Sequence, residues 1–160
     1  MKAARLIIVA GLALTGWAVA AKPGPAPAAP KPQEIVAARQ AGMALSATSL
    51  NFIKGASANG MPAKNLAFAA GGLAKWAAAM PTLFAESTRA VPSRTRAEAW
   101  TNKADFTAKS TAFAEAAKAL SAAAQADDKE ALAAALASTG AACKGCHDSY
   151  QAPPPPPRAG

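Results

Sequence analysis

Val36, Met43 and Leu50 lie seven residues apart, with Ser46 and Ile53 on adjoining positions of the same helical face. Leu66, Leu73 and Met80 repeat that spacing, as do Phe106, Phe113 and Leu120. Leu132, Leu136, Thr139, Cys143, Cys146 or His147, and Tyr150 follow at steps of three and four. Steps of three, four and seven place side chains on one stripe of an α-helix. The pattern predicts helices over about 33–54, 63–80, 101–124 and from Asp127 or Asp128 to about Tyr150. Pro81 ends or kinks the second, and Leu83 and Phe84 continue it as a short turn. Asp127 or Asp128 caps the fourth, with Glu130 in its first turn. A seven-residue apolar repeat on separate helices is the mark of a left-handed bundle of antiparallel helices. The fold class expected is therefore all-α, an antiparallel left-handed four-helix bundle. The segment from Pro81 to Trp100, with Pro92, Ser93 and Thr95, is its longest connection. Gly71 and Gly72 weaken the second helix, and either a close neighbour or fraying accounts for them.

Abundant alanine supports the helical reading, and no stretch alternates with period two. The two ends stand apart from the helical body. Lys2 and Arg5 precede an apolar run, Leu6 to Val19, and Ala18-Val19-Ala20 supplies a small-residue cleavage pattern. Residues 1–21 therefore read as a secretory signal peptide, an uncleaved anchor being the alternative. Its apolar run is short for a membrane span. No stable span is expected after cleavage, and the expected location is an oxidising compartment, most simply a bacterial periplasm. Residues 22–32, "KPGPAPAAPKP", form a Pro/Ala-rich linker and 152–160 a Pro-rich tail, both expected to be exposed and mobile. Residues 33–151 remain as one domain, long enough for a core. The net charge of +8 falls to about +6 without Lys2 and Arg5. The lysines are scattered, so nucleic acid is not an expected partner; the charge suits a solvated surface or an acidic partner protein.

The sequence "AACKGCHDSY" at 141–150 holds both cysteines of the chain and its only histidine. A disulfide across two residues closes too small a loop to restrict the unfolded chain much. A redox dithiol favours a helix N-terminus in a βαβ setting, which this is not. Zinc needs a fourth ligand that neither cysteine nor histidine can supply here. Cys-x-x-Cys-His is the attachment signature of c-type haem. Cys143 and Cys146 project to one side of a helix and can form thioethers to both vinyl groups of one haem c. His147, four residues after Cys143, can meet the iron from the same side.

A haem motif at the end of a fourth helix, with "ARQAGM" in the first, resembles the cytochrome c′ family, the class II c-type cytochromes. The resemblance runs from about Gln33 to Tyr150 and takes in "IVAARQAGMALSATSLNFIK" and "AWTNKADFTAK". It implies that the first helix crosses the haem face opposite the histidine. Low-spin members of the family carry methionine there, and high-spin, five-coordinate members often carry leucine. Met43 matches that position. Four residues earlier, Arg39 matches the family's arginine near the haem propionates, and Gln40 is the next candidate. The resemblance also implies pairing through the first two helices, so a homodimer is expected.

Histidine with methionine on iron favours electron transfer; an open or crowded sixth position binds gases. The Arg39-to-Met43 spacing puts the His147/Met43 pair first. It predicts an exported monohaem electron carrier, not an enzyme, that serves redox partner proteins. The alternative is a five-coordinate haem protein that binds nitric oxide or carbon monoxide, with Met43 as a steric gate. Gly42, beside Met43, either eases the helix towards the porphyrin or is an incidental glycine. Trp76, Trp100, Phe52, Phe106 and Phe113 read as core, and Tyr150 as a cover for the haem edge or the end of the helix.

Overall fold

A computed structural model describes residues 28–156; the signal peptide expected over 1–21 and the end of the tail lie outside them. Helix α1 runs from Pro32 to Ala58. Proline at its first position has no N–H to leave unsatisfied, and the Glu34 carboxylate accepts from Lys31 N–H at 2.9 Å. The helix stops at Gly60, whose φ of 81° opens the left-handed region. Met61 N–H then bonds back to the Ala56 carbonyl at 3.0 Å. A 3-10 turn, Ala63–Leu66, leads into α2, Ala67–Ala79, and a second one, Met80–Leu83, carries Pro81.

The long connection is more ordered than the sequence suggested. It holds a 3-10 turn at Glu86–Thr88 and the single-turn helix α3, Glu98–Thr101. Helices α4, Lys103–Gln125, and α5, Lys129–Tyr150, complete the bundle. Asp128 caps α5 by accepting from Ala131 N–H at 2.9 Å. Asp127, at φ 55°, instead accepts from Lys64 N–H at 2.9 Å and ties the turn to the foot of α2.

The predicted stripes meet in one core. Ile53, Leu66, Leu73, Met80, Phe113, Leu120 and Leu132 are buried together, and small Ala70, Ala77, Ala117 and Ala124 let the helices approach. Each large side chain contributes about 1.5–3 kcal/mol when fully withdrawn from water. A second cluster, Ala99, Trp100, Phe106 and Tyr150, closes one end. Phe52 departs from the expectation of a core aromatic: it is 52% exposed, one position off the stripe that ends at Ile53. The Gly71–Gly72 pair is not demanded by packing. A Cβ on Gly71 would sit 3.7 Å from Ser121 Oγ, an ordinary contact, and one on Gly72 would meet nothing within 4 Å.

The tail is likewise pinned where it leaves α5. Gln151 bridges Thr95, and Ala152 and Arg94 exchange backbone and side-chain bonds of 2.7 and 2.8 Å. Only from Pro153 onward is it fully exposed, up to Pro156. Among the described residues no helix is long and apolar enough to cross a membrane.

Candidate haem site

Helix α4 packs closely on both α2 and α5, and α1 packs on α2, but α1 and α5 barely touch. Two hollows fill that gap, of about 310 and 240 Å³. Met43, Met80, Cys146 and His147 line both, so they stand at the middle of one continuous slot. The first hollow is lined by the polar Arg39, Gln40, Ser93, Arg94, Thr95 and Gln151 and by the aromatic Phe84, Phe106 and Tyr150. The second is mostly apolar, with Leu50, Leu73, Phe113 and Ala142 beside Cys143.

Steps of three and four along α5 bring Cys143, Cys146 and His147 to this slot. The cysteines are half-buried and not joined in a disulfide. Burial pushes both thiols up; at Cys146 the Lys109 charge opposes the rise, while Cys143 and Asp105 add to it. Such thiols lack the thiolate character of a redox dithiol. The described residues contain no grouping of three or more histidine, cysteine or carboxylate side chains suited to a metal ion, which leaves the zinc alternative without a ligand set.

Arg39 is 2% exposed. It donates to the Leu83 carbonyl at 2.9 Å, Thr88 Oγ1 at 3.4 Å and Thr95 Oγ1 at 3.2 Å. Its guanidinium lies 4.3 Å over the Phe84 ring and 5.8 Å from that of Trp100. One α1 side chain thus staples the whole 83–95 segment to the bundle. Burial pulls the guanidinium below its ordinary value. Among the described residues no carboxylate lies within ion-pair distance of Arg39. A buried cation without an anion is costly. It lines the polar hollow, where a haem propionate would supply the missing charge. The residues therefore fit the group: cysteines at the centre and apolar end, a cation at the other, and an imidazole between.

The slot gathers all six residues singled out in the sequence: Arg39, Gln40, Met43, Cys143, Cys146 and His147. Gln40 is exposed and reaches only the polar hollow. His147 is exposed and Met43 half-buried. Tyr150 takes the second of the two places considered for it, the end of the helix. It closes α5, and its buried ring lines the polar hollow edge-on to Phe106. Its hydroxyl donates to Asp105, and burial together with that carboxylate pushes it up to about 12. Gly42 serves a different neighbour from the one considered. An added Cβ would lie 2.1 Å from Trp76 Cη2, so the glycine admits the Trp76 ring. Sequence reasoning took Met80 as a seam residue and missed that it also lines both hollows. Core stripe and slot wall have the same apolar signature.

A bundle with a Cys-x-x-Cys-His end and a slot of this polarity defines a covalent haem c protein. The model of the family described as Cytochrome C' matches residues 34–151. Cytochrome c' of Pararhodospirillum photometricum is 39% identical over 74 residues, 45% of this chain and 58% of the relative. Cytochrome c' of Alcaligenes xylosoxydans xylosoxydans is 46% identical over 56 residues, 35% of this chain and 44% of the relative. The matched stretch thus spans about half the length of these curated relatives. The nitric oxide complex of a variant cytochrome c prime from Alcaligenes xylosoxidans superposes with a TM-score of 0.71 at 30% identity. Cytochrome c' from Thermochromatium tepidum does so at 0.73 and 34%. A cytochrome c' described as having ligand-controlled dimer dissociation does so at 0.73 and 30%. Each of these three covers 79% of this chain and the whole of the solved one. The chain belongs to the cytochrome c′ family, its fold is the family's four-helix bundle, and its cofactor is covalent haem c.

Proposed function

We propose that the protein binds small diatomic gases, nitric oxide and carbon monoxide, at the haem face opposite His147, with Met43 governing access. The observation that carries this is the place of Met43. It is half-buried on α1, at the middle of the slot and on a different helix from His147. The solved relatives that hold nitric oxide support this reading over the electron-carrying one that the sequence put first. Haem iron supplies a metal centre that takes a neutral diatomic ligand or a single electron. The chain does the rest. Cys143 and Cys146 tether the porphyrin edge, and His147 holds the iron from α5. Arg39 meets the propionates, with Gln40 beside it. Leu50, Leu73 and Phe113 keep water from the apolar hollow.

The second reading is electron transfer with the Met43 thioether on iron, which the same placement of a soft sulfur favours. Optical spectra of both oxidation states separate the two. Broad high-spin bands and ready carbon monoxide uptake are expected for a gas binder. A sharp low-spin ferrous spectrum with a weak near-infrared band in the ferric form, both abolished in Met43→Leu, would establish the electron carrier instead. Export to the periplasm belongs to the same proposal. So does a homodimer through α1 and α2, where Leu45, Phe52 and Phe68 are exposed, Phe68 at 96%. Sedimentation with and without carbon monoxide tests the dimer; a monomer in both conditions refutes it.

A further inference from the structure

Two methionine side chains, not one, stand at the middle of the slot, and they differ in burial. Met43 is half-buried on α1, at the edge of the gap. Met80 is 2% exposed and opens the 3-10 turn that ends α2, with Pro81 fixing the backbone directly after it. Helix α2 packs on α1 and α4, so Met80, just past its end, reaches the slot from the core. Leu73, Ala77 and Phe113 share its core cluster. Met43 is thus the less confined of the two, whereas Met80 is enclosed by the core.

We propose that Met80 is the specificity-determining residue for ligand size: it sets the inner limit of the space between Met43 and His147. The inference rests on the gas-binding reading above. Methionine is unbranched and fills irregular gaps, so a rigidly held one makes a closed wall. A diatomic fits before that wall and a branched or longer ligand meets it. Truncation to alanine removes the wall and leaves a void that the surrounding core only partly collapses into.

The test uses ferrous holoprotein titrated with carbon monoxide, ethyl isocyanide and n-butyl isocyanide, followed by optical spectra. The wild type is expected to take carbon monoxide and to bind the isocyanides progressively worse with length. Met80→Ala should tighten n-butyl isocyanide by about 10-fold or more, the scale of a methylene-sized change in an apolar pocket. Carbon monoxide should tighten less than n-butyl isocyanide, so that the discrimination between the two falls. Met80→Leu, similar in volume but without sulfur, should behave as the wild type. Crystals of Met80→Ala under xenon should show the gas beside Met43. Where the alanine variant fails to fold, Met80→Val serves, with a smaller gain of the same sign. Unchanged discrimination between carbon monoxide and n-butyl isocyanide in the truncated variant overturns the role of Met80 and leaves the gas reading standing. A ferrous wild type that takes no carbon monoxide overturns both.

Discussion

Gly42→Ala and Gly72→Ala make the same chemical change inside two helices and should move stability in opposite directions. Each replaces glycine by the best helix former, a gain of about 0.8–1 kcal/mol from propensity alone. At Gly72 nothing lies within 4 Å of the added Cβ, so the gain stands. At Gly42 the Cβ would lie 2.1, 2.3 and 2.6 Å from Cη2, Cζ3 and Cζ2 of Trp76, the far edge of a rigid ring. Relieving that requires the ring or the helix to move by more than an ångström. Overpacking of this kind costs typically 1–3 kcal/mol, and so short a contact belongs at the upper end, which leaves a net loss of about 1–2 kcal/mol. Trp76 Nε1 is buried without a hydrogen-bond partner, so packing rather than a hydrogen bond holds the ring in place. Guanidinium unfolding of the ferric holoprotein, followed by far-ultraviolet circular dichroism, reads the midpoint shift at constant slope. Trp76→Phe, whose single ring is shorter, should cancel most of the Gly42→Ala loss in a double-mutant cycle. A Gly42→Ala variant at least as stable as the wild type, or two substitutions that simply add, would refute the packing of Trp76 on α1.

Three further outcomes follow from the site. Cys143→Ala and Cys146→Ala should each keep haem through one thioether, seen as a red-shifted haemochrome band, and only the double variant should lose covalent haem by mass spectrometry. Arg39→Met should leave the Leu83 carbonyl without its donor and cost about 1–3 kcal/mol in denaturant unfolding, whereas Arg39→Lys should recover part of that loss. Tyr150 is favoured as the neutral phenol in the fold, with its titration moved from 10.0 to about 12, so its contribution is full below pH 10 and fades as pH rises towards 12. Tyr150→Phe should therefore cost about 1 kcal/mol at pH 7, and the gap to the wild type should close above pH 10 in urea unfolding.

The parts legible in the sequence were those carried by local spacing. The stripes through Leu66, Leu73 and Met80 and through Phe106, Phe113 and Leu120 are buried as their repeat requires. The haem-attachment run sits on α5 where its spacing put it. What escaped was set by distant partners. Arg39 finds Leu83, Thr88 and Thr95 at separations of 44, 49 and 56 residues, and no periodicity registers such a pairing. The same contacts explain why the 81–100 connection is ordered despite its loop-like composition. Phe52 was read inward on residue type alone, although Ile53 already occupied the buried face. Met80 carried two roles under one apolar pattern, and only the arrangement of α2 across from α5 separates them.

The slot persists because α1 is held from two sides at once. At one level the Trp76 ring lies between α2 and the glycine notch of α1; at the next, Arg39 draws the 83–95 segment and the Phe84 and Trp100 rings under the helix. An apolar gap between two helices would ordinarily close, since every ångström of approach buries surface. Here closing it would require breaking the Arg39 hydrogen bonds or lifting Gly42 off the Trp76 ring. The two ends of the slot also differ in kind, with cations at one and Cys143 among apolar side chains at the other. A porphyrin with both carboxylates on one edge and methyl and vinyl groups around the rest would thus enter with its carboxylates towards the cations before any thioether forms. The cysteine spacing then makes that orientation permanent. Preorganisation of this sort lowers the ordering cost of cofactor attachment.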